Sequence, residues 1–134
     1  MKGLVALVLC GLATGATAAD GQCNRGKEGV LTLTDWKIDP SGPEIADVRL
    51  TLANQTGKEI RLIKGTVWFK DALESAASGV PIEPDALRPV GGSNSQTKTL
   101  AGLARYGRIA RQDVVATVCI ESAVYSDGTR ATFP

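Results

Sequence analysis

A strict alternation of apolar and polar residues, in short runs between turn residues, constrains the fold of this chain most. Its clearest case is the run at residues 45–53, in which apolar and polar side chains take turns: Val48, Leu50 and Leu52 against Asp47, Arg49 and Thr51. Consecutive side chains of a strand point to opposite faces, so this run predicts a strand with one buried and one wet face. Residues 19–134 contain no comparable stretch with helical periodicity. The pattern therefore predicts an all-β fold.

Further runs of β-branched and apolar residues extend this pattern to about seven strands. We predict strands at residues 30–38, 45–53, 60–70, 95–100, 114–125 and 129–133, and short edge structure within residues 80–87. A switch of apolar parity at Leu62 and Ile63 suggests a bulge, which Gly65 can ease. Residues 100–112 fit a loop or one helical turn. Many short strands joined by turns favour an immunoglobulin-like antiparallel β-sandwich.

The N-terminus has the pattern of a secretory signal peptide. Lys2 precedes a short apolar run at residues 4–12, and small residues follow it as far as Ala18. The run is shorter than the roughly 20 apolar residues that span a bilayer. Residues 16–18 match the A-x-A cleavage rule, which predicts cleavage before Ala19 or one residue later. We therefore expect a signal peptide at residues 1–18 and one exported domain at 19–134, periplasmic or secreted, without a transmembrane segment in the mature chain.

Cys10 raises the alternative of a bacterial lipoprotein, which carries a lipidated cysteine after the apolar run. Leu9 precedes Cys10, however, and further small residues and the A-x-A site follow it. We interpret Cys10 as part of the apolar run that is removed by cleavage.

Two cysteines, Cys23 and Cys119, remain after cleavage. A pair of cysteines in an exported domain predicts a disulfide bond. This bond would tie a polar N-terminal arm to a late strand. The alternative is two unpaired buried thiols.

The charges of the chain are balanced. It contains 15 Lys and Arg and 14 Asp and Glu, and removal of Lys2 with the signal peptide leaves equal numbers. A neutral domain is not typical of nucleic-acid binding, which depends on a basic surface. We therefore expect no nucleic-acid partner.

Four short segments follow one another along the chain: ANQTGK at residues 53–58, VWFKD at 67–71, PVGGS at 89–93 and VYSDGT at 124–129. In this order they resemble the FxLYD-type immunoglobulin-like domains of bacterial envelope and secreted proteins. The resemblance implies an immunoglobulin-like fold and a location outside the cytoplasm. It implies little about activity, because these domains are mostly uncharacterised and carry no shared catalytic residues.

The residue types needed for common catalytic and metal sites are scarce. The chain contains no histidine, which removes the usual general base and the commonest metal ligand. Asp35 with Asp39, or Glu83 with Asp85, could be imagined as a glycosidase pair, but such residues are more typical of solvated turns. We expect no enzymatic activity, no metal site and no cofactor.

A basic segment is the strongest candidate for a contact surface. Arg105, Tyr106, Arg108 and Arg111 lie close together with no acidic residue before Asp113. In a helical turn the three arginines would share a face and could bind an anion or a partner. The alternative is a solvated loop whose arginines pair with acids elsewhere and whose tyrosine packs on the core. Trp36 and Trp68 could line a ligand surface, but strand aromatics usually pack in the core or across strands.

The sequence therefore favours a non-enzymatic binding or structural module of the bacterial envelope. Its partner would be an envelope protein or an anionic envelope polymer. The alternative is a secreted inhibitor or accessory subunit of an envelope hydrolase, which would present residues 105–111 or residues 81–89 as a loop.

Overall fold

The computed structural model describes residues 23–73 and 76–134. The predicted signal peptide and Cys10 lie outside these residues. The described chain forms seven strands and two short 3-10 turns at Ala104–Gly107 and Arg111–Asp113. The strands are β1 (Leu31–Pro40), β2 (Ile45–Asn54), β3 (Ile60–Asp71), β4 (Ser78–Pro81), β5 (Ser93–Ala101), β6 (Val114–Tyr125) and β7 (Arg130–Thr132).

The strands form two antiparallel sheets that pack as a sandwich. One sheet has the order β1-β2-β5 and the other the order β4-β3-β6-β7. In an immunoglobulin constant-type domain the first, second and fifth strands likewise face the third, sixth and seventh. Here the fourth strand pairs with the third instead of the fifth. The predicted all-β sandwich of about seven strands is confirmed.

The alternation in β2 produces the buried layer between the sheets. Val48, Leu50 and Leu52 are almost completely buried. They share one core with Val67 and Phe69 of β3. Burying such side chains contributes about 1.5–3 kcal/mol each relative to leaving them exposed.

The edge strand β1 continues to Pro40, two residues beyond its predicted end. Asp39 pairs with Asp47 and Pro40 with Ala46. Proline is tolerated there because an edge strand leaves alternate N–H groups unpaired. A register shift between Leu33 and Asp35 restores the inner face for the following residues of β1.

Two register shifts divide β3, where the sequence predicts one. They lie between Ile60 and Leu62 and between Lys64 and Gly65, on either side of the predicted switch. A Cβ at Gly65 would lie 2.8 Å from the backbone oxygen of Cys119, so a side chain there would force the backbones of β3 and β6 apart locally. Beyond Gly65, Val67 and Phe69 face the core, while the residues between them face outward.

The N-terminal arm is tied to β6 by the predicted disulfide. Cys23 and Cys119 are bonded, with their Cα atoms 5.6 Å apart. Lys27 and Ile120 then exchange two backbone hydrogen bonds of 2.8 and 3.0 Å. The disulfide prediction is confirmed, and the arm extends the sheet at the edge of β6 that β7 leaves free. Within residues 23–73 and 76–134, no helix is both long and apolar enough to cross a membrane.

Candidate functional site

The arginine segment (residues 105–111) covers one end of the sandwich. It begins at the second residue of the first 3-10 turn and reaches the first residue of the second. Tyr106 is buried, its ring centroid lies 6.3 Å from that of Phe69, and its hydroxyl donates to the carbonyl of Ala76 at 3.2 Å. Tyr106 therefore belongs to the core, as the alternative interpretation of this segment predicts.

The two outer arginines bind groups of the chain itself. Arg105 Nη1 lies 2.6 Å from Oδ2 of Asp71, a carboxylate that is almost completely buried. Arg111 donates from Nη1 to the carbonyl of Trp36 at 2.7 Å and lies 3.2 Å from Oδ1 of Asp35. Its guanidinium carbon stacks 3.9 Å from the centroid of the Trp36 ring. Both positive charges are therefore matched by a carboxylate.

Arg108 binds backbone oxygens in the turn between β1 and β2. Its Nη2 and Nη1 donate to the carbonyls of Gly42 and Pro43 at 2.6 and 3.0 Å. The single helical turn that would give the three arginines a common face does not form: the segment enters two separate 3-10 turns, and each arginine binds a different partner. The segment also borders a shallow cleft of about 270 Å³, lined by Pro43, Glu44, Gly102, Ala104 and Arg105. Its role as a contact surface stays a prediction.

A second candidate is the proline loop (residues 81–90), whose backbone is fixed to β3. Ile82 N–H donates to Gly65, and Pro84 accepts from Ile63, both at 3.0 Å. Arg88 and Ile60 exchange two backbone bonds of 2.9 Å. Together with its fixed proline φ angles, this bonding makes the loop a rigid element.

Strand β5 fixes the same loop from the other sheet. Gln96 accepts from Glu83 N–H at 2.7 Å and donates to the carbonyl of Pro81 at 3.0 Å. Asn94 donates to the carbonyl of Leu87 at 3.1 Å. The inward polar side chains of β5 therefore join the two sheets, and they leave Leu87 and Val90 of the loop 52% and 58% exposed.

The same loop contains a buried cation, Arg88, which is only 2% exposed. Its Nη2 donates to the carbonyl of Glu83 at 3.2 Å, while Nε and Nη1 have no hydrogen-bond partner among the described residues. Burial lowers the pKa of Arg88, and the charge of Glu83 partly opposes that shift. Sequence alone does not reveal this burial, because Arg88 lies in a proline-rich segment that is typical of solvated loops.

A third candidate is the outer face of the four-stranded sheet, where the structure places Trp68. Its side chain is 40% exposed. Trp68 is not a core residue, because it alternates with the buried Val67 and Phe69, but its ring packs across the strands against Gly79 of β4. That parity is visible in the sequence and could have placed Trp68 outside. Trp36, in contrast, packs edge-on against Phe69 with centroids 5.3 Å apart.

The described residues do not bring together a metal-binding group. No cluster of three or more Cys, Asp or Glu side chains there could hold a metal ion. Asp35 and Glu83, one from each carboxylate pair considered above, lie beside Arg111 and Lys98 at 3.2 and 3.8 Å. Comparison with protein-family models, curated proteins and solved structures gave no match.

Proposed function

We propose that this chain is a non-enzymatic binding module of the bacterial envelope, exported to the periplasm or beyond. The signal-peptide pattern at residues 1–18 and the Cys23–Cys119 bridge support this location, because structural disulfides form in oxidising compartments. The absence of histidine supports a role in binding rather than in acid–base catalysis.

The observation that carries a binding role is the rigid proline loop with its exposed apolar side chains. A loop that is already fixed in the free protein loses little conformational entropy when it binds. Leu87 and Val90 project from a backbone that both sheets hold by hydrogen bonds. The loop is therefore suited to docking against an apolar pocket of an envelope protein.

A pull-down from periplasmic extract with the mature protein tests this contact. We expect one identified partner to bind the native protein and to be lost with the double variant Leu87→Asp, Val90→Asp. Leu73→Asp is the matched control, because Leu73 is 88% exposed and lies outside the loop. Equal recovery of the partner by native protein, loop variant and control would contradict the proposed contact.

The same loop supports a second candidate function, inhibition of an envelope hydrolase. Protease–inhibitor complexes commonly form with little movement of the backbone, which a loop fixed at both sheets permits. If the partner is a hydrolase, adding this protein should lower its activity, and the loop variant should not. A partner whose activity is unchanged favours the binding or assembly role.

The arginine segment remains a separate proposal for anion or partner contact. Replacing Arg105, Arg108 and Arg111 by Ala should weaken partner binding and flatten its salt dependence, since surface charges are screened by salt. A partner affinity that does not change in a folded triple variant would assign these arginines to intramolecular contacts alone.

A further inference from the structure

We propose that the outer face of the four-stranded sheet, centred on Trp68, binds an anionic polysaccharide chain. A sugar ring would stack on the indole, and Lys64 and Arg130 would pair with acidic groups of the polymer. This inference rests on the proposed binding role but uses a surface separate from the proline loop and the arginine segment.

The indole of Trp68 packs across the neighbouring strand, where a glycine leaves room for the ring. Gly79 of β4 lies opposite Trp68 in the register. A Cβ at Gly79 would lie 2.8 Å from Cζ3 of Trp68 and 2.9 Å from Cγ2 of Thr66. Any larger residue would therefore displace the ring, which here lies over the backbone of β4 and stays 40% exposed. The electron-rich face of an indole attracts the polarised C–H groups of a sugar.

The charges of this face are basic. Along β3, Lys64 and Lys70 occupy the same outward row as Trp68, and Arg130 of β7 pairs with Val124 of β6. The β6 residues that the register pairs with this row are not acidic, but Glu121, the extra β6 residue at the register shift beside Lys64, is a carboxylate next to them. Among the described residues, neither Lys64 nor Arg130 forms an ion pair. Lys64, Lys70 and Arg130 therefore outnumber the single carboxylate of Glu121 along this part of the sheet.

The outer face of the other sheet has a different charge pattern. There Asp39 lies directly opposite Asp47 across β1 and β2, and Lys37 lies opposite Arg49. Carboxylates on that face would repel a polyanion. The chain as a whole is nearly neutral, so the contrast arises from the distribution of charge between two faces.

The shape of the basic face favours a polymer over a small ion. The outward row from Lys64 to Lys70 extends about 20 Å along one strand. Thr66 lies within this row, and Ser122 and Thr132 continue the row of Lys64 across the sheet. Hydroxyl groups and cations spaced along this strip can bind an extended chain of hydroxylated, negatively charged sugars.

The test uses the mature exported protein and three probes: polygalacturonate as an anionic polysaccharide, dextran as a neutral polysaccharide and polyglutamate as an anion without sugar. The Trp36→Phe variant leaves Trp68 as the remaining tryptophan, so its fluorescence reports on this face. We expect polygalacturonate to shift the emission of Trp68 and to bind more tightly than either other probe. Equal binding of polyglutamate, or no binding of polygalacturonate, would overturn the proposal.

Variants then separate stacking from charge. In calorimetric titrations, Trp68→Ala should weaken binding of polygalacturonate by about tenfold. Gly79→Ala should weaken it without any change of charge, and Lys64→Gln with Arg130→Gln should weaken it and reduce its salt dependence. Lys37→Gln is the charge control on the other sheet. Native affinity in folded Trp68→Ala would overturn the proposal even if Gly79→Ala did not fold.

The loop variant distinguishes this proposal from the function proposed above. Leu87→Asp with Val90→Asp should bind polygalacturonate like the native protein while losing its protein partner. If the native protein binds polygalacturonate but no protein partner, the docking role of the loop fails and the polysaccharide site stands.

Discussion

Arg88 and Asp127 show how single residues of this fold depart from what their type suggests. Arg88 is buried among the residues that hold the proline loop, yet within residues 23–73 and 76–134 only one of its guanidinium nitrogens has a hydrogen-bond partner. Each buried polar group without a partner costs about 1–3 kcal/mol. Arg88 therefore fills space and fixes the loop through Glu83 while it reduces the stability of the fold.

Replacing Arg88 separates these contributions. Arg88→Met keeps most of the volume and removes the buried charge, so it should leave the free energy of unfolding unchanged or raise it. Arg88→Ala should lower it by about 2–5 kcal/mol, because it leaves a cavity. Urea unfolding measures both. A methionine variant as unstable as the alanine variant would show that the charge itself stabilises the fold.

Asp127 is exposed, and local hydrogen bonds lower its pKa to about 2. The side-chain hydroxyl of Thr129 is the main donor, followed by the backbone N–H of Thr129, and Lys58 lies 3.1 Å away. A lowered pKa in the folded protein stabilises the fold above the ordinary pKa near 4, and this contribution is lost as the pH falls through about 2.

The titration of the Asp127 carboxyl by NMR tests this environment. We expect a midpoint near pH 2 in the native protein and a higher midpoint in Thr129→Val, which lacks the hydroxyl donor. Asp127→Asn should make stability less dependent on pH across this range. A native midpoint near pH 4 would contradict the hydrogen-bonded turn.

At the scale of elements, the strands follow from local pattern, whereas the loops depend on distant partners. The alternation within β2 fixes its buried face without reference to other residues. The proline loop and the two 3-10 turns are instead held by hydrogen bonds to residues distant in the sequence. Gln96 accepts from Glu83 in the loop, and Asp71 accepts from Arg105 in the first turn. Such pairings have no local signal, which explains why the sequence left residues 100–112 open between a loop and a helical turn.

The three arginines should differ in their contribution to stability, although the sequence alone suggests three similar surface residues. Arg105→Ala should lower the free energy of unfolding by about 1 kcal/mol, because it removes one of the partners of a buried carboxylate, which still accepts from Leu73 N–H, while Arg105 itself is half exposed. Arg111→Ala loses the stacking on Trp36, worth about 0.5–1 kcal/mol. Arg108→Ala should cost about 0.5 kcal/mol or less. Urea unfolding that ranks Arg108→Ala as the most destabilising change would contradict these roles.

At the scale of the whole molecule, the sandwich and its bridge could be predicted, while the surfaces proposed to contact ligands could not. Burial and strand parity determine the core, and the two cysteines beyond the predicted signal peptide leave one intramolecular pairing. The basic face around Trp68 arises when three strands bring Lys64, Trp68 and Arg130 to one side of a sheet. Charges that are spread along the sequence reveal such a face only after the register is fixed.

The disulfide should make a large contribution to global stability. It closes a loop across a sequence separation of 96 residues. In the chain-entropy model a loop of this size stabilises the fold by about 4–5 kcal/mol, from which any strain subtracts. The double variant Cys23→Ala, Cys119→Ala should therefore unfold at a markedly lower temperature by calorimetry. Free alkylation of both thiols in the native protein, or an unchanged unfolding temperature, would contradict this account.

The indole N–H signals of the native protein test the central claim, that one face of this sandwich binds a ligand, most directly. The chain contains two tryptophans: Trp68 lies on the basic outer face, and Trp36 lies beneath Arg111. In a titration of the ¹⁵N-labelled protein with polygalacturonate, followed by NMR, we predict that the Trp68 signal shifts or broadens while the Trp36 signal stays in place. A shift confined to Trp36, or no shift of either signal at saturating polymer, would contradict the account.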